Sequence, residues 1–536
     1  MRGNPCCSTT KCLGIEIAAS LLGIQSSYAS LHILTSNAVQ SYDAPYKCTT
    51  SRVTGRCGVD LDRRQAISTG IFATLAGSTA TYAARNGGAS RKVDVAIVGA
   101  GFAGLTAATT LTRAGQDVAV VEQLGRVGGR TKAAILAGHP VDIGGQWVGP
   151  TQTALLELGR RYGVPTELQY ASGNNLFVHA GNLRKFEGDV PPLADAEMAQ
   201  LAAAMEKIET QAASLNPYAP WASVNGEQLD AVSSRQWFEA NVPSPAARAT
   251  LELFWRVVYS VEASEISHLY ALEYVRASGG LAQLTGTRGG AQDATFKGGL
   301  HLIARKMAAE LGDRLTSNVK VIRIIQSDND IRVIHRGGEI TARRLVLAIP
   351  PSALARIDIS PPLPANARYI ADRMPLGSVV KFLVAYKSPF WRERGLSGQI
   401  IDTDSPVKVI FDKSMDDGLG ALVGFFNGSD AGRASILSQS ERRNLVIEQA
   451  KKYFGPEAAN PIDYIDNDWL AEDGIGGGYT SIPGPGVFSR AGGALRQPFG
   501  RIHFAGTETS DVWPGYVEGA VRSGQRVAAE IVRSKR

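Results

Sequence analysis

The sequence predicts an α/β fold, and a strand, a glycine-rich turn and a helix that follow one another carry that prediction. Val93 to Val98 is a short β-branched run, typical of a buried parallel strand, and it leads directly into Gly99-Ala100-Gly101-Phe102-Ala103-Gly104. A helical pattern runs from Phe102 to about Ala114, and a second strand from Asp117 to Val121 ends in Glu122. A strand, a G-x-G-x-x-G turn, a helix and an acidic residue about 20 positions on form the βαβ unit that binds dinucleotides.

The residues of this unit have separate expected roles. Its glycines allow a tight turn and let a pyrophosphate approach the helix N-terminus, where free N–H groups and the helix dipole favour an anion. Its acidic residue would accept hydrogen bonds from a ribose diol. The predicted cofactor contacts of the unit are Gly99, Gly101, Ala103, Gly104, Glu122 and Gln123.

Further strands and helices are predicted along the rest of the chain. The predicted strands are Val319 to Ile325, Ile331 to His335, Arg344 to Pro351, Ser378 to Tyr386 and Arg501 to Ala505. The predicted helices are Leu193 to Leu215, Pro245 to Val261 and Tyr516 to Val532. The 58 glycines exceed the about 38 that ordinary usage would give, so many backbone positions are expected to turn sharply or to lie against a ligand.

Composition bounds the class of protein. The 536 residues, 44% of them hydrophobic, are enough for a globular chain of two or three domains. The net charge of +6 is scattered rather than clustered, so no nucleic-acid partner is expected. All five cysteines lie within the first 57 residues. The rest of the chain is therefore expected to hold no disulfide, no thiolate metal site and no cysteine nucleophile, and we predict no metal.

Residues 1–90 are predicted to be an N-terminal extension. Arg63-Arg64 is followed by an uncharged stretch from Ala66 to Ala84 that fits a twin-arginine export signal, which predicts a periplasmic or secreted protein. Asp62 before the pair departs from that pattern, so a linker in a cytoplasmic protein is the alternative. With no long, strongly apolar run elsewhere and an end directly after the last predicted helix, we expect no membrane anchor.

Seven segments in a fixed order resemble the flavin-dependent amine oxidase family, and in particular the monoamine oxidases. They are VAIVGAGFAGLTAA, EQLGRVGGR, DIGGQWVGPTQ, GGAQDATFKGG, PLGSVVKFLVAYKSPFW, GGGYT and FAGTETSDVWPGYVEGAV. The resemblance spans about Val93 to Val532 and implies a Rossmann-like FAD-binding domain of the GR2 type with an α+β substrate-binding domain. The first would comprise residues 91–165, 290–355 and 485–536, and the second residues 166–289 and 356–484.

The resemblance also implies where FAD is held. Gly506 and Glu508 would lie near the ribityl-pyrophosphate, the backbone of Val321 at the adenine, and Trp147 at the wall of the cavity beside the flavin ring. The helix that begins near Tyr516 would point its N-terminus at the pyrimidine ring and favour negative charge there. The positions implied to contact the cofactor beyond the βαβ unit are Gly129, Arg130, Gly145, Gln146, Trp147, Val321, Gly506, Glu508, Tyr516 and Val517.

The same resemblance implies three catalytic residues. Tyr479 and Tyr516 would stand on either side of the amine path in front of the flavin, and Lys381 would hold a water at flavin N5 and assist the reaction with oxygen. Strand alternation places Lys381 on an apolar face. Trp147, Leu284 and Gln292 would line the substrate pocket with the tyrosines. The alternatives are core packing for the tyrosines, Leu284 and Gln292, and a lysine extending from a sheet edge to solvent.

One departure from the family predicts how the cofactor is held. Eukaryotic monoamine oxidases attach FAD through a cysteine immediately before the first of the two tyrosines, and here that residue is Gly478. With no cysteine after Cys57, we expect FAD to be bound non-covalently. A histidyl linkage stays open on composition, although no histidine falls in the matching motif.

The function implied is the oxidation of primary amines to aldehydes, with hydride transfer to flavin N5, oxygen as acceptor and release of ammonia and hydrogen peroxide. A polyamine, amino-acid or alkaloid oxidase, or a dehydrogenase that passes electrons to a carrier, is the alternative. An amino-acid oxidase would need an arginine facing the carboxylate, and a diamine oxidase an acidic residue at the far end of the pocket. A non-catalytic protein that keeps the FAD fold is a remoter alternative. Whether the chain forms a homodimer stays open.

Overall fold

The computed structural model describes residues 90–534. The predicted N-terminal extension, with its twin-arginine segment and the five cysteines, lies outside these residues apart from its last position. The strands are β1 Arg91–Val98, β2 Val118–Val121, β3 Ala133–Leu136, β4 His139–Asp142, β5 Trp147–Val148, β6 Thr166–Leu168, β7 Asn174–His179, β8 Asn182–Phe186, β9 Ala294–Phe296, β10 Leu315–Thr316, β11 Val321–Gln326, β12 Ile331–His335, β13 Gly338–Leu347, β14 Asp358–Ser360, β15 Val379–Tyr386, β16 Leu396–Asp402, β17 Val407–Asp412, β18 Gly420–Asn427, β19 Asp463–Asp468 and β20 Ile502–Phe504.

The four helices predicted from the sequence are all present, to within a few residues at their ends. The helices are α1 Phe102–Arg113, α2 Thr153–Arg161, α3 Asp195–Ala213, α4 Gly226–Asp230, α5 Ser234–Asn241, α6 Pro245–Tyr259, α7 His268–Ala277, α8 Leu281–Thr285, α9 His301–Leu311, α10 Pro351–Leu354, α11 Ala365–Arg373, α12 Phe390–Glu393, α13 Ser429–Ser435, α14 Gln439–Phe454, α15 Phe488–Ala491 and α16 Val517–Arg533. Among the described residues, no helix combines the length and the apolar character that a membrane span requires.

The first sheet has the strand order β10-β2-β1-β13-β12-β11-β14, with β20 also paired to β13. β1 runs parallel to β2 and to β13, and its residues Ala96 and Ile97 are completely buried. Parallel strands that are covered by helices on both faces have nearly continuous apolar sequences. For this reason the apolar run in β1 predicts a buried parallel strand. The structure confirms the α/β fold.

The predicted strand from Arg344 to Pro351 is wrong at both ends. β13 begins earlier, at Gly338, because its first half forms an antiparallel ladder with β12. It ends at Leu347, and Pro351 instead opens the short helix α10. Proline has no N–H for a ladder but is favourable at the first position of a helix.

The second sheet has the order β19-β15-β18-β17-β16-β7-β8 and is antiparallel apart from the pair β16–β7. β15 lies between β18 and β19 and is buried along its whole length. Its alternate residues pack into two different clusters, Val379, Leu383 and Ala385 on one face and Val380 and Phe382 on the other. The strand is therefore internal, with two apolar faces.

The two sheets draw on separated parts of the chain. The first uses strands within residues 91–121, 315–360 and 502–504, and the second uses strands within 174–186 and 379–468. Helices α3, α6 and α7 pack against one another beside the second sheet. The domain boundaries themselves stay a prediction.

Close packing of α16 against α1 leads to the first testable prediction. An added Cβ at Gly524 in α16 would lie 2.4 Å from Ala103 O and 2.9 Å from Thr106 Cβ. Gly524→Ala is therefore expected to lower the free energy of unfolding by about 1–3 kcal/mol, because the helices must move apart.

Denaturant unfolding of the purified protein measures this effect, and Gly432→Ala is the matched control. Gly432 lies in α13, and its added Cβ would meet nothing within 4 Å. That change should stabilise the protein by about 0.5–1 kcal/mol, because alanine loses less backbone entropy in a helix. Equal effects of the two substitutions would contradict the packing argument.

Candidate active site

A cavity of about 470 Å³ extends from the glycine-rich turn after β1 to the second sheet. This volume falls in the range of small-molecule and cofactor sites. Its wall brings together most of the residues that the sequence predicted, although they are spread over more than 400 positions. Those that line it are Gly99, Gly101, Ala103, Glu122, Gln123, Gly129, Arg130, Gly145, Gln146, Trp147, Leu284, Gln292, Val321, Lys381, Tyr479, Gly506, Tyr516 and Val517.

Two predicted cofactor residues, Gly104 and Glu508, lie behind this wall. An added Cβ at Gly104 would lie 1.9 Å from Gly99 O, so this glycine permits the packing of α1 on the turn. The Glu508 side chain is 1% exposed and accepts hydrogen bonds from Arg130 Nη1 at 2.7 Å and Ser481 N at 3.2 Å. Burial alone would raise the pKa of Glu508, but the charge and hydrogen bonds of Arg130 outweigh it and hold that pKa below its ordinary value. Glu508 orients Arg130.

The turn after β1 contains space that protein atoms do not fill. At Gly99, which has φ of +101°, an added Cβ would lie 2.5 Å from Ala348 O, so strand packing excludes a side chain there. At Gly101 the nearest atom would be Gly129 Cα, at 3.9 Å. A methyl group at Gly101 would therefore meet the protein only at an ordinary van der Waals distance, and Gly101 lines the cavity. The open backbone at the start of α1 is the surface that a cofactor pyrophosphate needs.

Glu122 lies at the tip of β2, beside this turn. Its carboxylate accepts hydrogen bonds from Ala100 N at 2.6 Å and Leu124 N at 2.9 Å. Burial raises the pKa of Glu122, although these N–H groups act against it. Each oxygen keeps a second lone pair for a ribose hydroxyl.

Gly101→Val is the second testable prediction. Because its added atoms would occupy the cavity rather than clash with protein, we expect the apoprotein to fold normally and to bind flavin at least about tenfold more weakly, through lost contacts worth about 1.4 kcal/mol or more. Thermal unfolding of the apoprotein and fluorescence titration with the cofactor measure the two quantities. Unchanged flavin affinity would show that the cofactor does not approach this turn.

Lys381 lies on the cavity wall, and its side chain is surrounded by acceptors. Its Nζ donates to Asp142 O at 2.8 Å, to Gly144 O at 2.7 Å and to the Oε1 of Gln146. The residue is 2% exposed and its strand is internal, so the alternative of a lysine extending to solvent from a sheet edge is wrong. All three ammonium protons have acceptors, which offsets the cost of burying the charge.

Burial of Lys381 changes its acid–base behaviour. Desolvation lowers the pKa of its ammonium to about 7, and the nearby charge of Asp142 limits the fall. The Nζ atom also lies 5.9 Å from the ring centroid of Trp147 and 5.8 Å from that of Phe425. Lys381 can therefore gain or lose a proton near neutral pH while it stays in the cavity wall.

Tyr479 and Tyr516 approach the cavity from different elements. Tyr479 follows Gly478 in a loop, and its hydroxyl accepts a hydrogen bond from Asn427 Nδ2 at 3.0 Å. Tyr516 is the residue before α16 and packs edge-on against Trp513, with ring centroids 4.7 Å apart. Burial raises the pKa of both tyrosines, to about 12 for Tyr479, so both are neutral over the physiological range.

Trp147 and the predicted substrate residues form further parts of the wall. Trp147 Nε1 donates to Gln169 Oε1 at 2.9 Å, which fixes the indole ring. Leu284 lies in α8, and Gln292 Nε2 donates to Leu284 O at 3.4 Å. Among the described residues, Gln292 Oε1 and Gln146 Nε2 are buried without a protein partner. Two amides of the wall thus have hydrogen-bonding capacity left for a ligand.

A family model described as flavin containing amine oxidoreductase matches residues 102–532. The chain belongs to this family. Flavin-containing amine oxidoreductases are enzymes, so this chain is an oxidoreductase that uses a flavin.

Individual relatives within the amine oxidoreductases cover nearly the same part of the chain. A protein of Mycobacterium tuberculosis named as a flavin-containing monoamine oxidase, AofH, is 39% identical over 440 residues, 82% of this chain and 96% of that protein. An L-amino acid dehydrogenase of Synechocystis is 33% identical over 454 residues, 83% and 95%. A solved structure of putrescine oxidase bound to putrescine has a TM-score of 0.80 and 33% identity, and the match covers 83% of this chain and all of that one.

Sequence reasoning missed several groups that shape this amine oxidoreductase site. Asn427 holds the Tyr479 hydroxyl, and Phe425 lies opposite Lys381 in the β15–β18 register. The carbonyl oxygens of Asp142 and Gly144 hold Lys381. No local pattern marks Phe425 and Asn427, and the DIGGQWVGPTQ segment does not indicate that its Asp142 and Gly144 carbonyls hold Lys381, because these contacts come from pairing between distant segments.

Proposed function

We propose that the chain is an FAD-dependent oxidase of primary amines. The balanced reaction is R–CH2–NH2 + O2 + H2O giving R–CHO + NH3 + H2O2. The observation that carries the proposal is the placement of Lys381, Tyr479 and Tyr516 on the same cavity as the dinucleotide turn. When bound, the flavin accepts at N5 the hydride from the carbon next to nitrogen and passes the two electrons to oxygen.

The two tyrosines would guide the amine. Their neutral rings offer faces that attract a compact amine by quadrupole and dispersion contacts, without the strong retention of a carboxylate. Asn427 restrains Tyr479 through the hydroxyl. Apolar lining residues exclude water from this part of the cavity, which favours the neutral amine that hydride loss requires. They include Val379, Ile401, Val409, Phe411 and Phe425.

Lys381 would act on the oxygen side of the reaction. Its ammonium is fixed by three acceptors and needs no reorganisation when negative charge develops nearby. Because its pKa is about 7, it can also hold a proton at Nζ or release it at neutral pH. A preorganised cation in a water-poor site is an effective stabiliser of a reduced oxygen species.

We further propose that the cofactor is FAD and that it is held without a covalent bond. The open turn at Gly101 and the carboxylate of Glu122 support a dinucleotide, and Gly478 offers no side chain for a linkage. Acid precipitation of the holoprotein should release all of the flavin, and mass spectrometry should identify it as FAD. Flavin that stays with the precipitate, or a mononucleotide in the supernatant, would contradict this proposal.

Anaerobic addition of primary amines tests the function. We expect the oxidised flavin band to bleach with at least one amine of a broad panel that includes alkylamines, arylalkylamines, diamines and amino acids, and admission of air to restore the band with one peroxide per flavin. If no amine bleaches the band, the proposal fails. If bleaching occurs but an artificial electron acceptor restores the band much faster than air, the protein is a dehydrogenase.

A further inference from the structure

A carboxylate lies on the substrate side of the cavity. Asp189 lines the cavity together with Leu284 of α8 and Gln399 and Ile401 of β16, a strand of the second sheet. The dinucleotide turn belongs to the first sheet. Asp189 therefore lies on a part of the cavity wall that is away from the dinucleotide turn.

The carboxylate of Asp189 is fixed but not neutralised. Its Oδ1 accepts a hydrogen bond from Thr287 N at 3.0 Å, which ties it to the chain segment that follows α8. Within residues 90–534, no lysine, arginine or histidine forms a salt bridge with it. Its second oxygen is thus available to a cation that enters the cavity.

The other carboxylates on the cavity wall belong to the cofactor side. Glu122 is held by the N–H groups of the turn and of Leu124. Asp473 precedes Gly474, whose carbonyl accepts from Gln123 Nε2. Among the described residues that line the cavity, Asp189 is thus the carboxylate that lies away from the dinucleotide turn.

We propose that Asp189 binds the second, protonated amino group of an α,ω-diamine or a longer polyamine whose first amino group is oxidised between the two tyrosines. Asp189 is half-buried, and a simple alkylamine would offer its carboxylate no charge partner. A diamine would supply an ammonium there, and an ammonium in hydrogen-bond contact with a carboxylate forms a charge-assisted pair. The inference rests on the proposed amine oxidase function and narrows its substrate class.

Equilibrium binding tests the inference independently of turnover. The holoenzyme is reduced with dithionite under anaerobic conditions, so no amine can be oxidised, and is titrated calorimetrically with diaminoalkanes and with n-alkylamines of equal length. At the best length, the diamine should bind at least about tenfold more tightly than the alkylamine. Asp189→Asn should remove most of that advantage.

Asparagine keeps an oxygen for Thr287 N, so the variant is expected to fold, with flavin content as the check. Glu187→Gln is the matched control, because Glu187 is exposed and is not among the cavity residues. It should keep the diamine advantage. No diamine advantage at any length, an advantage that survives in Asp189→Asn, or an equal loss in Glu187→Gln would overturn the inference. Failure of every amine to bleach the oxidised enzyme would instead overturn the proposed function.

Discussion

Lys381→Met is expected to slow the reaction of the reduced enzyme with oxygen by about 100- to 1,000-fold, the usual effect of removing a preorganised stabilising group. Methionine preserves much of the volume but removes the charge that Asp142 O, Gly144 O and Gln146 hold in place. Stopped-flow mixing of amine-reduced enzyme with aerated buffer measures the rate. The preceding reduction by amine should change much less.

The pH dependence gives this prediction a second readout. Since burial lowers the pKa of Lys381 to about 7, the ammonium predominates below that pH and the neutral amine above it. Wild-type reoxidation should be faster on the acid side, with an inflection near pH 7, and Lys381→Met should lack the inflection. Lys306→Met is the control, because Lys306 is exposed and is not among the cavity residues. Unchanged reoxidation in Lys381→Met would exclude Lys381 from the oxygen reaction.

Glu508→Gln is expected to lower the free energy of unfolding by about 1–3 kcal/mol, because it removes the charged partner of the partly buried Arg130. Arg130 Nη1 also donates to Tyr479 O at 2.9 Å, so its displacement should disturb the tyrosine as well as the cofactor. Denaturant unfolding and the flavin content of the purified variant measure the two consequences. Retention of full stability and full flavin content would contradict the structural role of this pair.

Acid titration distinguishes this buried pair from ordinary surface pairs. The pKa of Glu508 in the folded protein is below its ordinary value. The contribution of Glu508 to the free energy of unfolding is therefore present when the pH is above the ordinary pKa, and it is lost as the pH falls through the pKa of the folded protein. Glu508→Gln should therefore reduce the loss of stability in acid. Glu157→Gln removes an exposed partner of Arg160 and should change neither the stability nor its acid dependence appreciably.

Local patterns in the sequence predicted the parts of the fold that depend on local contacts. The β1 strand, the turn at Gly101 and helix α1 follow one another without interruption, so their geometry could be inferred from spacing. Alternation in β15 likewise placed Lys381 on the face that carries Val379 and Leu383. Each of these predictions needed information from one short segment.

The remaining features depend on which distant segments meet. The acceptors of Lys381 come from residues 142–146, and no periodicity relates them to β15. Gly104 shares a motif with Gly101, yet the structure assigns it to helix packing because Gly99 O approaches its missing side chain. Asp189 resembles any surface acid in the sequence, and its place on the cavity wall follows from its contact with Thr287 N.

The register of β15 against β18 has a consequence for how such an enzyme can diversify. Lys381 and Phe425 are directly opposed in that ladder, so a one-residue slip of β15 would send Lys381 to the wrong face. Asp189, Leu284 and Gln292 instead come from loops and a short helix, which tolerate substitution far better. A variant library confined to residues 187–191 and 284–292 should therefore yield new amine preferences while the oxidation step and the bound flavin are inherited unchanged.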